Sequence, residues 1–132
     1  RDPRDVALSY RNYLGDKFLT FGIWKWKDSI KAYDYLLKRT DVLLVRYEDL
    51  VNFPTIEIDK IIDYLDLSKD ASISTSKISA KEMGVAEDLH HQNLNKPISS
   101  SSVGKWKNAF SEKDKSYFNK QIKNKMGKFG YN

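Results

Sequence analysis

The sequence VLLV at residues 42–45 decides the fold class. It is a short, continuous apolar run without polar alternation, which is typical of a parallel strand covered on both faces by helices. The segments around it have helical signals, so we predict an α/β fold that is mostly helical, with one strand near residues 42–46. One strand cannot form a sheet, so we expect its hydrogen-bonding partners to come from residues outside this sequence or from another chain.

Three helices around this run are predicted from their capping signals and apolar spacing. Asp2 and Pro3 suit the cap and the first position of a helix. After Pro54, isoleucine and leucine recur with a spacing of three and four, which predicts an amphipathic helix packed against the sheet. Ser111 and Asp114 have the spacing of a capping box before the last helix.

The remaining segments give weaker patterns. Residues 17–27 mix aromatic residues with glycine and lysine and fit no single period, so we expect an irregular connector or lid. A further helix is predicted to begin near Asp28 and to end near Arg39. Residues 68–103 are rich in serine, lysine and asparagine, which indicates a loop or lid with a short helix around residues 80–89.

Composition narrows the classes of function. The chain has 23 basic and 18 acidic residues, a formal charge of +5, which favours an anionic partner. It has no cysteine, and its two histidines, His90 and His91, are adjacent rather than one helical turn apart, so we predict no metal site. No apolar run is long enough to span a membrane and no signal peptide is visible. The compartment stays open, with the cytoplasm slightly favoured.

The opening sequence RDPRDVALS at residues 1–9 places an arginine directly before a predicted helix N-terminus. A helix N-terminus favours negative charge, and a guanidinium offers two donors that match a phosphate. Ser9 would add a hydroxyl from the same helix. A solvated Arg1 and an ordinary helical serine explain the pattern equally well, so these residues alone favour neither interpretation.

Three motifs together resemble the sulfotransferase family, whose members use 3'-phosphoadenosine 5'-phosphosulfate. The pattern of residues 1–9, an Arg-x-Pro-x-Asp followed after three residues by serine, resembles the family's 3'-phosphate-binding motif. The sequence VRYEDL at residues 45–50, with Pro54 after it, resembles the family's strand and the turn that follows. The sequence SVGKWKNAF at residues 102–110 resembles the C-terminal block that returns to the same phosphate.

The resemblance implies a fold and a function. Residues 1–132 would form the C-terminal portion of a single sulfotransferase domain with a P-loop-like parallel sheet. The complete domain would transfer a sulfuryl group to a hydroxyl or amine of an acceptor, releasing adenosine 3',5'-bisphosphate. This portion would hold the donor's 3'-phosphate. Trp106 is expected to pack rather than to bind. The implied donor-binding residues are Arg1 and Ser9 on the 3'-phosphate, Tyr47 near the adenine, and Ser101, Ser102, Gly104 and Lys105 in the C-terminal block.

Two departures from the family pattern matter. Residues 99–101 are serines where the cytosolic hormone and phenol enzymes carry Arg-Lys-Gly, so the block is closer to the bacterial and carbohydrate-directed branches. The family's 5'-phosphosulfate loop and its catalytic base lie upstream of the position of Arg1. We therefore identify no catalytic residue in this sequence and expect the isolated chain to be inactive.

Two alternatives stay open at this stage. The chain could be a non-catalytic split or degenerate module that binds a nucleotide or a partner chain and completes its sheet with that partner. The interleaved sequence WKWK at residues 24–27 would suit a nucleic-acid-binding surface, but the lysines alternate with acidic residues elsewhere rather than forming a stripe, so we predict no nucleic-acid partner. The acceptor is not identified by the sequence.

Overall fold

The computed structural model describes residues 1–68 and 98–131, and in this part of the chain all regular structure is helical. Short 3₁₀ turns occupy Gly15–Lys17, Ser100–Ser102 and Gly127–Phe129. None of the described helices is long and apolar enough to cross a membrane. The helices are α1 (Pro3–Leu14), α2 (Phe18–Leu36), α3 (Tyr47–Asn52), α4 (Pro54–Tyr64), α5 (Trp106–Ala109) and α6 (Glu112–Met126).

The core lies between α1, α2 and α6 and includes the last residues of the described chain. Phe118 and Met126 of α6 are completely buried, and so is Ala7 of α1. The remaining core residues come from α2 and from both sides of α6. The full set is Ala7, Phe18, Ile23, Trp26, Ile30, Phe110, Phe118, Ile122, Met126 and Tyr131.

The contact between α1 and α2 depends on a glycine. A Cβ atom built on Gly22 would lie 2.5 Å from the Cβ of Ala7 and 2.7 Å from its Cα, closer than real carbon atoms approach. The two helices therefore pack with their backbones nearly touching, and only glycine fits at this position of α2. This close approach fixes α1, which carries several of the predicted site residues.

The prediction of an irregular connector over residues 17–27 was wrong. One continuous helix, α2, runs from Phe18 to Leu36, and no new helix begins at Asp28. The buried residues of α2 lie at positions 18, 22, 23, 26 and 30, which is the spacing of one helical face. The alternation of tryptophan and lysine at 24–27 follows from that face, because Trp26 is buried and Trp24 is exposed.

The prediction of a parallel sheet with a strand at residues 42–46 was also wrong. These residues have no regular structure, although Arg46 has the extended backbone angles φ −85° and ψ 136°. Within residues 1–68 and 98–131, the backbone groups of Val42–Val45 make no hydrogen bond to other backbone groups. A strand exists only when a neighbour pairs with it, and the described residues supply none. The described fold is therefore helical rather than α/β.

The helix ends predicted from local capping signals were confirmed. The carboxylate of Asp2 accepts a hydrogen bond of 2.8 Å from the N–H of Arg4, and Pro3 opens α1. Helix α4 begins at Pro54, as predicted. Of the predicted apolar stripe, Ile62 is buried, but Leu65, just after the end of α4, is 54% exposed, and no sheet lies against the helix in the described chain.

The last helix was confirmed as well. Ser111 and Asp114 form the capping box at the start of α6. The helix expected around residues 80–89, and both His90 and His91, lie outside the residues that the structure describes.

Candidate functional site

Arg1 joins two of the other predicted site residues. Its guanidinium carbon lies 4.4 Å from the centre of the Tyr47 ring, a cation–π distance. Its Nη2 donates a hydrogen bond of 3.2 Å to the carbonyl oxygen of Ser102. Three residues that belong to three separate sequence motifs thus meet at one point.

A buried carboxylate holds the start of α3 against the start of α1. Glu48 follows Tyr47 in α3, and its Oε1 accepts a hydrogen bond of 2.7 Å from the N–H of Asp2. Its Oε2 accepts a hydrogen bond of 2.8 Å from the hydroxyl of Tyr131. Because both contacts lie next to residues that meet in the site, Glu48 sets the distance between Arg1 and Tyr47.

The charge of Glu48 is stabilised by these donors. Burial alone would raise the pKa of Glu48, but the hydrogen bonds from the Asp2 N–H and the Tyr131 hydroxyl outweigh burial and lower this pKa below its ordinary value. Burial and the hydrogen bond to Glu48 raise the pKa of Tyr131, so the tyrosine keeps the proton that it donates. Arg46 lies over the ring of Tyr131, with its guanidinium carbon 4.7 Å from the ring centre.

Asp5 connects α1 to the C-terminal loop, which we define as residues 102–106. Its Oδ2 accepts a hydrogen bond of 2.6 Å from the N–H of Gly104, and its Oδ1 accepts one of 3.0 Å from the N–H of Trp106. Gly104 has a φ of 73°, which suits glycine. The N–H of Gly104, one of the groups expected to contact phosphate, therefore already has a partner in this structure.

Trp106 packs, as expected. The guanidinium carbon of Arg4 lies 3.9 Å from the centre of the Trp106 ring. The carboxylate of Asp2 holds the same guanidinium by accepting hydrogen bonds from its Nε and Nη2. Trp106 also lies against Phe110, with ring centres 6.3 Å apart. The tryptophan thereby anchors the C-terminal loop on the first turn of α1.

Ser9 lies on the exposed side of α1, in the same open cleft as Arg1. The cleft has a volume of about 440 Å³. The other walls are apolar or aromatic, as in most sites for small organic ligands. The lining residues are Arg1, Val6, Ser9, Tyr10, Leu14 and Phe21.

A second cavity, of about 260 Å³, is also lined in part by Arg1. Its lining in the described part of the chain includes the cations Arg1, Lys25 and Arg46. The Nε of Arg46 is buried and has no hydrogen-bond partner in the described part of the chain. A carboxylate oxygen of Asp49 lies 3.7 Å from this nitrogen. Both spaces next to Arg1 are therefore attractive to negative charge.

The remaining predicted residues lie on the C-terminal loop and just before it. Lys105 is exposed, and no hydrogen bond or ion pair joins it to the other predicted residues within the described ranges. Ser101 is exposed too, and its N–H donates to the hydroxyl of Ser99 at 3.1 Å. The structure thus brings Arg1, Tyr47 and Ser102 into contact, places Ser9 beside Arg1, and leaves Ser101 and Lys105 at the surface.

The residues around Arg1 fit a phosphate. Among residues 1–68 and 98–131, no carboxylate forms an ion pair with Arg1. A guanidinium has five N–H donors, and the hydrogen bond to Ser102 uses one of them. The cap of α1 is filled by the side chain of Asp2, so an anion here would be held by side chains rather than by the helix terminus. No group of acidic and histidine side chains in the described residues could hold a metal ion.

Sequence reasoning missed Asp5, Arg4 and Glu48 as parts of this site. The signal for Asp5 was present, because it is the aspartate of the Arg-x-Pro-x-Asp pattern. Glu48 likewise belongs to the motif at residues 45–50. Their partners lie far away in the sequence, so the motifs mark these residues but do not say what they contact.

Comparison with known proteins agrees with this arrangement of motifs. The sequence profile described as "Sulfotransferase domain" matches residues 1–130. The chain therefore belongs to the sulfotransferase domain family. The closer likeness to the bacterial and carbohydrate-directed branches stays a prediction.

Two curated proteins illustrate the relationship. Sulfotransferase 1E1 of Mus musculus is 25% identical over 155 residues, covering 96% of this chain and 52% of that protein. Sulfotransferase 1C2 of Rattus norvegicus is 25% identical over 138 residues, covering 96% of this chain and 46% of that protein. The chain spans about half the length of these relatives. No solved structure matches the chain significantly.

Proposed function

We propose that this chain forms the 3'-phosphate side of the donor site in an enzyme that transfers a sulfuryl group from 3'-phosphoadenosine 5'-phosphosulfate. One observation carries the proposal: Arg1 is held between the Tyr47 ring and the Ser102 carbonyl, with no carboxylate partner among the described residues. An arginine fixed in place but not neutralised suits a phosphate better than it suits a structural ion pair.

The proposed roles follow from position. Arg1 binds the 3'-phosphate, with the hydroxyl of Ser9 across the shared cleft. Tyr47 lies on the adenine side, where it also keeps the guanidinium in place. The hydroxyl of Ser102 and the ammonium of Lys105 approach the phosphate from the C-terminal loop, and the hydroxyl of Ser101 approaches it from the residue just before that loop. The N–H of Gly104 contributes only if it exchanges its bond to Asp5 for one to phosphate.

The reaction itself needs more than these residues. In the proposed transfer, a bond forms between sulfur and the acceptor oxygen or nitrogen while the bond between sulfur and the phosphate oxygen breaks. Adenosine 3',5'-bisphosphate leaves, and the acceptor proton passes to a base. Positioning and charge stabilisation supply most of the catalysis in such transfers. The contribution of this chain is to hold the leaving nucleotide, and the acceptor is a molecule with a hydroxyl or amine.

The test compares two nucleotides that differ by one phosphate. We expect the natural polypeptide that carries this sequence to bind adenosine 3',5'-bisphosphate at least about tenfold more tightly than adenosine 5'-monophosphate, because one charged hydrogen-bonded contact is worth about 1.5–3 kcal/mol. In Arg1→Ala this preference should fall about tenfold or more. Calorimetry at constant ionic strength measures both affinities.

Arg39→Ala is the matched control. Arg39 pairs with Asp41 and borders neither space next to Arg1, so its loss should leave the preference unchanged. Equal affinity of the wild-type protein for the two nucleotides would refute the proposed function. A preference that survives in Arg1→Ala would refute the role of Arg1.

A second candidate function is a non-catalytic interaction module covered by a partner chain. It is favoured by large apolar side chains at the surface of α3, α4 and the segments around them. Phe53 is 57% exposed, Ile56 is 56% exposed and Leu67 is 52% exposed. Apolar side chains grouped in this way often mark a surface that another polypeptide covers.

Mass measurement and catalysis separate the two candidates. A stable complex with a partner chain, together with no sulfuryl transfer by that complex, would favour the interaction module. A monomer that transfers the sulfuryl group would exclude it. Sedimentation equilibrium gives the mass, and transfer of labelled sulfate to a phenol or a sugar gives the activity.

A further inference from the structure

We propose that Asp5 is a positioning residue that couples the C-terminal loop to α1 and so brings the two halves of the phosphate site together. This inference rests on the proposed function. It concerns a residue that would touch no ligand, since both of its carboxylate oxygens already accept backbone hydrogen bonds.

The carboxylate of Asp5 is buried and fully engaged by the C-terminal loop. Asp5 is 2% exposed, and its two oxygens bind the N–H groups of Gly104 and Trp106 at 2.6 and 3.0 Å. Hydrogen bonds from a backbone N–H to an ionised carboxylate are about twice as strong as neutral ones. Both oxygens of Asp5 are thus engaged by the loop backbone, and these two N–H donors stabilise its negative charge.

Without Asp5, the C-terminal loop would have no cap for the start of α5. Trp106 is the first residue of α5, a helix of four residues whose N-cap residue, Lys105, makes no side-chain capping bond. The first N–H groups of a helix have no partner within the helix. Asp5 supplies one from α1, acting as a cap from a distant part of the chain. The loop has no local alternative for that bond.

Several contacts fix the position of the C-terminal loop relative to the start of α1. Arg1 binds the carbonyl of Ser102, Asp5 binds the N–H of Gly104, and the Arg4 guanidinium covers the Trp106 ring. Three residues at and just before the start of α1 therefore hold the loop at Ser102, Gly104 and Trp106. Asp5 holds the loop backbone at two points, one on either side of Lys105, and no other side chain within residues 1–68 and 98–131 does so.

The consequence for binding is that Arg1 and Lys105 can act on one phosphate only while Asp5 keeps the loop in this register. A displacement of about 1 Å would take a hydrogen-bonded phosphate contact out of hydrogen-bond range. We therefore assign to Asp5 the selectivity for the 3'-phosphate rather than the affinity for the nucleotide as a whole.

The test uses Asp5→Asn, which keeps the size of the side chain but loses the charge and one acceptor. In the natural polypeptide, we expect affinity for adenosine 3',5'-bisphosphate to fall about tenfold, while affinity for adenosine 5'-monophosphate changes less than about twofold. Amide hydrogen exchange at Gly104 and Trp106 should accelerate, while exchange in α6 should stay as in the wild-type protein.

Asp114→Asn is the matched control. Asp114 also accepts a backbone hydrogen bond at a helix start, in the capping box of α6, so Asp114→Asn should lower stability through the lost cap. It should leave the preference between the two nucleotides intact. A merely structural Asp5 would behave in the same way as Asp114.

Gly104→Ala keeps the inference testable if Asp5→Asn does not fold. This substitution leaves α1 untouched and strains the loop at its φ of 73°, and the nearest atom to the new Cβ, Lys107 Cε, lies 3.7 Å away. It should lower the preference for the bisphosphate. An unchanged preference in folded Asp5→Asn, or in Gly104→Ala when Asp5→Asn does not fold, overturns the role of Asp5. Absence of any preference in the wild-type protein overturns the proposed function instead.

Discussion

The hydroxyl of Tyr131 donates a hydrogen bond of 2.8 Å to Oε2 of Glu48, a residue 83 positions earlier in the chain. The other oxygen of this carboxylate accepts the N–H of Asp2 at 2.7 Å. One buried side chain thus connects the end of the described chain to the start of α3 and to the start of α1. The site around Arg1 depends on all three segments, so this connection can be tested through stability.

Tyr131→Phe should lower the free energy of unfolding by about 1.5–3 kcal/mol, because it leaves a buried carboxylate without one of its two donors. Urea denaturation of wild type and variant measures the difference. Tyr117→Phe is the control, since Tyr117 is 40% exposed on α6 and should change stability by less than about 0.5 kcal/mol. Equal small effects of both substitutions would contradict the stabilising role of this hydrogen bond.

The contribution of Glu48 should depend on pH. Its pKa in the folded protein is lowered from the ordinary value of 4.5, so the stabilisation is present above about pH 4.5 and disappears as the pH falls through the folded value. Melting temperatures of wild type and Glu48→Gln should therefore differ near neutral pH and converge below about pH 4.5. In Glu112→Gln, which changes an exposed carboxylate, the melting temperature should stay close to that of the wild type at every pH. A difference between wild type and Glu48→Gln that is constant with pH would exclude the charge as its cause.

Gly22→Ala should destabilise the packing of α1 on α2. The new methyl group would lie 2.5 Å from the Cβ of Ala7, so the helices must separate, at a cost of about 1–3 kcal/mol. Gly127→Ala is the control, because no atom lies within 4 Å of a Cβ there and the φ of −56° is helical. It should be neutral or slightly stabilising. Thermal unfolding of both variants measures the contrast, and similar melting temperatures would show that the helices can adjust freely.

Two substitutions of Tyr47 should separate the contribution of its ring to nucleotide binding from that of its hydroxyl. Tyr47→Phe keeps the aromatic face beneath Arg1, whereas Tyr47→Leu removes the cation–π contact at 4.4 Å. We expect the leucine variant to bind adenosine 3',5'-bisphosphate about threefold to tenfold more weakly than the phenylalanine variant, in line with about 0.5–2 kcal/mol for such contacts. If leucine binds as well as phenylalanine, the ring does not hold Arg1 in its binding position.

Local signals in the sequence were sufficient for several helices. The cap at Asp2 and the capping box at Ser111 were predicted correctly because a cap involves residues only two or three positions apart. Helix α2 was missed because Gly22 and the alternation of tryptophan with lysine concealed one buried face. That glycine is there for contact with Ala7, which no local pattern reveals.

The apolar run at residues 42–45 shows what a local pattern cannot predict. Its apolar character was read correctly, since Val42, Leu43 and Val45 are half-buried. Strand formation, however, is decided by a neighbour with free backbone groups, and a single sequence segment cannot specify one. The described residues provide no neighbour, so the segment is unpaired and has no regular structure.

The candidate site was predicted in part. The sequence motifs marked Arg1, Tyr47 and Ser102, which the structure brings together. They did not reveal that Asp5 occupies the N–H of Gly104, because the two residues are 99 positions apart. The chemical type of a residue can be read locally, but its partner depends on the tertiary fold.

The bond between Asp5 and Gly104 also restricts how the start of α1 can change during evolution. Each added residue turns a helix by about 100°, so an insertion between Pro3 and Asp5 would point the carboxylate away from the C-terminal loop. Functional descendants of this sequence should therefore accept substitutions at the solvent-facing positions of α1 far more readily than a gain or loss of a single residue before Asp5.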